Sequence, residues 1–403
     1  MARGFCTLQT LTTPLALFIL LTSYLLTTTN LYRHLERKYQ LLSSPLPAFA
    51  YEYGGVEAAG GERANAAIVV LARNSDVDDV VHTLRTFEST FNARYRYPYV
   101  FLNDKPWTYE FRSRITDFIS RKRGGDNKPD VRFGQIPAAH WSYPSHVNQT
   151  KAHQCMQAMK KAGVPYAAVE SYHHMCRFQS GFFYKHELLR EFEWYWRLEP
   201  DVDYLCPLHY DPFQYMATHG KRYGFNILAP EFMATIPSLT STLKSYMSTH
   251  HITSPPPTLQ LMWNTTTDSY NGLHFWSNFE IGSLTWLRSS EYQRFFNHLD
   301  ATGNFYYERW GDAPIHSVAA GMLLKPDEIH YFEEIGYRHG DRVHCPQVKQ
   351  VEGVYGPCGC DLDRLKTTWV KWGVWAYKDH WGRELERWRE WAAKWQRDDA
   401  PKR

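Results

Sequence analysis

The chain begins with a long stretch that carries no charge. No Asp, Glu, Lys or Arg lies between Gly4 and Tyr32, and LALFILLTSYLL (15–26) is the apolar centre of this stretch. With its flanks it is long enough to cross a bilayer as a helix. Periodicity is then lost in SSPLPAFAYEYGGVEAAGGERANA (43–66), rich in Pro, Gly and Ala, which reads as a stem or linker. It returns with AAIVVLAR (66–73), a continuous apolar run that predicts a strand buried on both faces. In SDVDDVVHTLRTFESTF (75–91), Val77, Val80, Val81, Leu84 and Phe87 recur at helical spacing behind a Ser or Asp cap. YPYVFLND (97–104) predicts a second buried strand. Strand, helix and strand in quick succession form a βαβ unit, so the body opens as a parallel α/β sheet, and such sheets bind ligands at the carboxyl ends of their strands. Further helices are predicted over 148–163, closing on Gly163, and over 183–196 (FYKHELLREFEWYW). A last one, WGRELERWREWAAKWQR (381–397), carries Trp381, Leu385, Trp388, Trp391 and Trp395 along one stripe.

Composition narrows the class. At 403 residues and 16% aromatic content the chain can bury a large core. A formal charge of +3 is near balance, and the most basic run, RKRGG (121–125), reads as an exposed loop, so no nucleic-acid partner is expected. No Gly-x-Gly-x-x-Gly follows the first strand and no Gly-Lys-Ser/Thr loop occurs, which argues against a dehydrogenase or P-loop NTPase. No small-x-small cleavage site follows the apolar run, so it reads as a retained signal-anchor (9–29) behind a short cytoplasmic tail (1–8). Beyond Cys6 there are six cysteines, Cys155, Cys176, Cys206, Cys345, Cys358 and Cys360, a number that suits three disulfides in an oxidising lumen. The sequons at Asn148 and Asn264 fit the same side of the membrane.

Five stretches carry candidate chemistry. In WYWRLEPDVDYLC (194–206), Glu199, Asp201 and Asp203 stand at alternate positions. On a strand they would share one face, either wet or gathered around a divalent cation. In YNGLHFWSNFEIGSLTWLRS (270–289), Glu280 is a solitary acid downstream of His274, Trp276, Ser277 and Asn278. It is either a hydrogen-bonded buried acid or one placed against a sugar whose apolar face stacks on aromatic rings. Asp312, in YERWGDAPIHSVAAGML (307–323), precedes a helix opening at Pro314 and could be simply its cap. His339 and His344 lie in HYFEEIGYRHGDRVHCP (330–346), and imidazole with carboxylate is a suitable ligand set for Mn²⁺. In SYHHMCRFQSGFFYKH (171–186), Tyr172 and Arg177 stand out, Arg being a natural bidentate partner for phosphate. His173, His174 and Cys176 do not make a zinc site, because adjacent histidines point apart and no Cys-x-x-Cys partner is present.

Taken together, SYHHMCRFQSGFF, YWRLEPDVDYLC, HFWSNFEIGS, ERWGDAPIHS and IHYFEEIGYRHGDRVHCP resemble, in order and spacing, the fungal α-1,2-mannosyltransferases of glycosyltransferase family 15, over residues 50 to 360. The resemblance implies a type II Golgi membrane protein with a GT-A-like α/β catalytic domain (61–360) behind a stem (30–60). It implies a retaining enzyme that moves mannose from GDP-mannose to mannose-terminated O- or N-glycans of glycoproteins with Mn²⁺. Carried over by residue, it puts Glu199 and His339 on the metal with Asp201 as a possible water-mediated partner, Glu280 in the place of a nucleophile and Tyr172 at the active site. Arg177, His274, Trp276, Asn278 and Asp312 are candidates to hold donor or acceptor. The Trp-rich tail (361–403) lies beyond the resemblance, and here Leu273 stands where the family often has Cys. A retaining glycoside hydrolase using Glu199 and Glu280, or a sugar-binding lumenal receptor, are the alternatives.

Overall fold

The structure, a computed structural model, describes residues 63–124, 128–208, 210–340 and 342–346. The expected anchor, the stem, the Trp-rich tail and both extremes of the 61–360 domain lie outside the described residues. Among the described residues no helix is long and apolar enough to cross a membrane.

The fourteen strands described are β1 (Ala66–Leu71), β2 (Tyr99–Asn103), β3 (Val131–Gln135), β4 (Trp194–Leu198), β5 (Val202–Tyr204), β6 (Tyr223–Phe225), β7 (Leu228–Pro230), β8 (Trp263–Asn264), β9 (Ser269–Tyr270), β10 (Leu273–Phe275), β11 (Glu280–Ser283), β12 (Ile329–Tyr331), β13 (Tyr337–His339) and β14 (Arg342–His344). Seven of them form the central sheet in the order β12-β6-β11-β4-β1-β2-β3. All run parallel except β11, which is antiparallel to both β4 and β6. The apolar runs read as β1 and β2 are buried almost throughout, as expected of strands covered on both faces. Helices cover the sheet: α1 (Val77–Phe87), α2 (Tyr109–Lys122), α3 (Gln149–Lys161), α4 (Glu170–Gly181), α5 (Leu239–Thr249), α6 (Ser290–Asp300) and α7 (Asp312–Leu323). Asn148 caps α3 by accepting from the Lys151 amide.

The helix expected over 183–196 is not there. Two 3-10 turns at Phe183–Lys185 and Glu187–Leu189 lead into β4. Helical propensity in FYKHELLREF is overruled from Trp194 onward, where Trp194, Tyr195 and Trp196 enter the middle of the sheet and are all buried. Trp196 meets the rings of Phe87, Phe91, Tyr204 and Phe279 at centroid separations of 5.1, 5.1, 5.6 and 5.5 Å, and truncating such a ring costs about 3–5 kcal/mol. The stretch before it, Glu170–Gly181, is the helix instead, and at its end the backbone approaches α6 so closely that a Cβ on Gly181 would sit 2.0 Å from the Phe296 ring.

The cysteine expectation also fails in part. Cys206 and Cys345 are each disulfide-bonded, whereas Cys155 and Cys176 are free thiols. Cys176 faces the apolar core from α4, and burial pushes its thiol well up, so it is inert packing.

Candidate active site

The acid-rich stretch is no continuous strand. It is β4, then the turn Glu199-Pro200-Asp201, then β5, and Asp201 takes the left-handed conformation at φ 59°. Helix α1 pins this turn: the Thr83 hydroxyl donates to the Glu199 carbonyl and accepts from the Val202 amide, both at 3.0 Å, while the Asp201 amide donates to the Asp79 carbonyl. The break in the alternation separates the three acids. Asp203 pairs with Arg338 and lies 3.0 Å from His82 Nε2, and Glu199 accepts from Arg197 Nε at 2.6 Å. The expected shared face of three carboxylates is therefore broken up, with Asp203 and Glu199 each held by a different arginine.

The small sheet β14-β13-β5 brings His339 to this turn, its register setting His339 opposite Val202. The His339 imidazole is partly buried. Desolvation lowers its pKa below the usual value, against the upward pull of the Glu199 and Asp201 carboxylates. Its ring lies on the Trp276 indole at 5.4 Å, and the Arg342 guanidinium covers Trp276 at 4.9 Å. The Asn278 amide is 2.8 Å from His339 Nδ1, and its Oδ1 has no hydrogen-bond partner. Turning this amide over would let Oδ1 accept from Nδ1–H and free the Nε2 lone pair, the usual arrangement of a metal-bound histidine.

Behind the turn lies a buried charge group. Arg197 donates by Nε to Glu199 and by Nη1 to Asp312, which also accepts from the Ser277 hydroxyl at 2.7 Å. Burial alone would raise the Asp312 carboxyl, but Arg197 and His316 overrule it and hold it at about 2. Asp312 is the first residue of α7, yet it is more than a cap: it neutralises a buried guanidinium. Glu280 stands directly opposite Arg197 in the β4–β11 register and is fully buried. Its Oε2 accepts from the Tyr223 hydroxyl and faces His316 Nδ1, each at 2.8 Å, whereas Oε1 has no hydrogen-bond partner.

Tyr172 belongs to an adjoining group. Arg309 donates to the Tyr172 hydroxyl at 3.3 Å and to Glu231 at 3.2 Å, and Glu231 lies 3.9 Å from His274 Nδ1. Burial pushes the His274 imidazole down to about 4. The two groups meet at α7, where a Cβ on Gly311, the residue before Asp312, would fall 3.5 Å from Arg309 and 3.8 Å from Glu231. The structure thus assembles Glu199, Asp201, His339, Trp276, Asn278, Asp312 and Glu280 on one side of this junction and Tyr172 and His274 on the other. It does not bring Arg177 to them, because Nε and Nη2 of Arg177 close on the two Asp300 oxygens at 2.7 and 2.8 Å.

Sequence reasoning passed over Arg197, Tyr223, Glu231, Arg309 and His316. Arg197 stands two residues before Glu199 and His316 one helical turn after Asp312, so both carried a positional signal. Tyr223 and Glu231 carried none.

Among the described residues no set of three His, Cys, Asp or Glu side chains converges as a closed metal cage. The donor chemistry still fits a hard or borderline cation at an open site. Glu199 has one oxygen not engaged by Arg197, and His339 has one ring nitrogen not engaged by Asn278.

Residues 24–379 match the family described as glycolipid 2-alpha-mannosyltransferase. An O-glycoside alpha-1,2-mannosyltransferase of Schizosaccharomyces pombe is 42% identical over 301 residues, 74% of either chain. A probable mannosyltransferase, KTR3 of Saccharomyces cerevisiae, is 40% identical over 77% of this chain and 74% of its own. Among solved structures, core-mannan synthase A of Aspergillus fumigatus in its Mn/GDP form is similar with a TM-score of 0.67 at 35% identity, over 72% of this chain and 78% of that one. The mannosyltransferase Ktr4p of S. cerevisiae in complex with GDP gives 0.66 at 32%, over 82% and 85%. With a shared α/β fold, a mostly parallel sheet and about two fifths identity across most of its length, the chain belongs to the glycolipid 2-alpha-mannosyltransferase family, glycosyltransferase family 15, and is a glycosyltransferase.

Proposed function

We propose that the protein is a retaining α-1,2-mannosyltransferase that moves mannose from GDP-mannose to mannose-terminated O- or N-glycans of glycoproteins, with Mn²⁺, as a single-pass type II protein of the Golgi membrane. The observation that carries this is the meeting of Glu199, Asp201 and His339 at the carboxyl end of β4, directly in front of the buried pair Arg197 and Glu280. Glu199 and His339 would hold Mn²⁺, with Asp201 reaching it through water. Bound there, the ion supplies positive charge against the phosphates of departing GDP.

The chain's own residues account for the rest. Trp276, stacked on His339 and covered by Arg342, sets the aromatic surroundings of the imidazole. Asn278 orients the imidazole, and Asp312 with Ser277 holds Arg197, which in turn fixes Glu199. Tyr172 and His274, tied to Arg309 and Glu231, form the wall where the acceptor enters. Arg177 has no part in this reading, its fork being closed on Asp300. Glu280 is the candidate nucleophile. Its complete burial also favours a second reading, in which the acceptor attacks from the face the phosphate leaves and Glu280 acts as a nearby negative charge.

The test is transfer of labelled mannose from GDP-mannose to α-methylmannoside, with Mn²⁺ or EDTA. Transfer that requires Mn²⁺ and falls at least a hundredfold in Glu280→Gln supports the reading. A glycoside hydrolase or a sugar receptor would not bind GDP in a calorimetric titration with Mn²⁺ present, and that result would sink it.

A further inference from the structure

His316 has a proton to account for. Its Nε2 lies 3.1 Å from the Gln179 carbonyl oxygen and its Nδ1 2.8 Å from Glu280 Oε2. A carbonyl can only accept, so Nε2 carries a hydrogen. An ionised carboxylate can only accept as well, and Glu280 Oε2 already takes the Tyr223 hydroxyl proton. Either both ring nitrogens are protonated and Glu280 is ionised, or Glu280 itself carries the proton that lies between them. Both side chains are fully buried, so water cannot relieve this demand.

The neighbours decide between the two states. The titratable and charged groups that face the pair are Arg197 and Tyr195 from β4, Tyr223 from β6, Tyr292 from α6 and Asp312 from α7. The tyrosines are neutral, and burial holds each well above its ordinary value. Arg197 and Asp312 are already paired with each other. Asp312 and His316 are four residues apart on α7, and Arg197 and Glu280 are opposite each other on the sheet. The result is two ion pairs side by side, each joining a helix residue to a strand residue, with signs alternating around the square. In this lattice the ionised state is favoured, and His316 is raised above its ordinary value despite its burial.

We infer that His316 is a positioning residue of the transfer reaction: as an imidazolium anchored on the Gln179 carbonyl, it keeps Glu280 ionised and fixes Oε2, leaving Oε1 uncommitted. This rests on the reading that Glu280 acts in catalysis. It serves either form of that reading, because a covalent attack needs the free oxygen and same-face attack needs the charge. When the His316 proton is lost at high pH, two lone pairs oppose each other across 2.8 Å and the carboxylate turns away. The turnover number therefore falls on the alkaline side as His316 deprotonates.

The experiment measures kcat and KM for mannose transfer by the full-length enzyme between pH ~5.5 and ~9, for wild type, His316→Asn, His316→Ala, Tyr223→Phe and Glu280→Gln. Circular dichroism and the Kd for GDP with Mn²⁺ are measured alongside to report folding and donor binding. His316→Asn keeps a neutral donor near Oε2 but no titrating proton. The expected result is a kcat at least tenfold lower at neutral pH with the GDP Kd within twofold, and loss of the alkaline limb that wild type and Tyr223→Phe both show. A wild-type kcat in His316→Asn, or an alkaline limb that survives in it, overturns the inference while leaving Glu280 in place. Full activity in Glu280→Gln overturns the underlying reading and the inference with it. If His316→Ala fails to fold, the Asn variant alone decides.

Discussion

Replacing Asp312 by Asn tests whether the buried charge group is held by electrostatics or merely by shape. Asn has nearly the same volume and can still accept from Ser277, so the change removes charge and little else. A carboxyl held at about 2 rather than its ordinary 3.8 contributes about 2 kcal/mol to folding at neutral pH. Complete loss of a buried partner costs about 3–5 kcal/mol, but Arg197 retains Glu199, so the lower figure is the expected one. Because the folded pKa lies below the unfolded one, this stability is present in full above pH ~4 and is lost as the pH falls through ~2. The assay is urea unfolding followed by tryptophan fluorescence for both proteins at pH ~7 and pH ~3. Asp312→Asn should be less stable by about 2 kcal/mol at pH ~7, and the gap should shrink by roughly half at pH ~3. A gap below ~0.5 kcal/mol at neutral pH, or one that does not change with pH, would refute the argument that Arg197 sets the state of this carboxyl.

Three further outcomes are expected. Glu334 is buried with Tyr210 as its donor, and desolvation lifts its carboxyl from 4.5 to about 7. A folded pKa above the unfolded one costs stability as the pH rises through that window, so Glu334→Gln should raise the thermal midpoint at pH ~8, by up to ~3 kcal/mol in free energy, and leave it unchanged near pH ~4.5. Gly181→Ala should destabilise by at least ~2 kcal/mol, because its Cβ would sit 2.0 Å from the Phe296 ring, and adding Phe296→Leu should recover part of the loss in the same unfolding assay. Arg177→Met should cost about 3 kcal/mol by stranding Asp300, while calorimetry with Mn²⁺ shows GDP affinity within twofold of wild type; a tenfold weaker GDP at unchanged stability would restore the phosphate role.

The opening βαβ unit was legible because its signals are local. A β-branched run, a capped amphipathic segment and a second apolar run can be read without knowing what covers them, and the strands fell at Ala66–Leu71 and Tyr99–Asn103 as expected. Residues 183–196 were not legible, since Glu, Leu, Lys and Arg favour helix while the Trp-Tyr-Trp at their end is claimed by a sheet assembled from distant strands. The candidate site divides the same way. Glu199, Glu280, Asp312 and His339 each stood out within a short motif. What Arg177 does depends on Asp300, 123 residues away, and no local pattern announces such a pairing. Spacing two in a string of acids implied one face only while the backbone stayed extended, and Asp201 at φ 59° ends that extension. Tyr223, contacting Glu280 across 57 residues, is found only in three dimensions.

The reversed strand β11 changes where a change of specificity must be written. Glu199 comes after its strand β4, and Glu231 after β7. At β11 the site residues precede or begin the strand, so His274, Trp276, Asn278 and Glu280 arrive on the incoming chain while the outgoing chain, from Ser283 onward, turns away to cap a short helix. A chimaera that exchanges the segments between β4 and β5, after β7 and before β11 would carry recognition from one relative to another, whereas one that exchanges only the segment after β11 would carry scaffold alone.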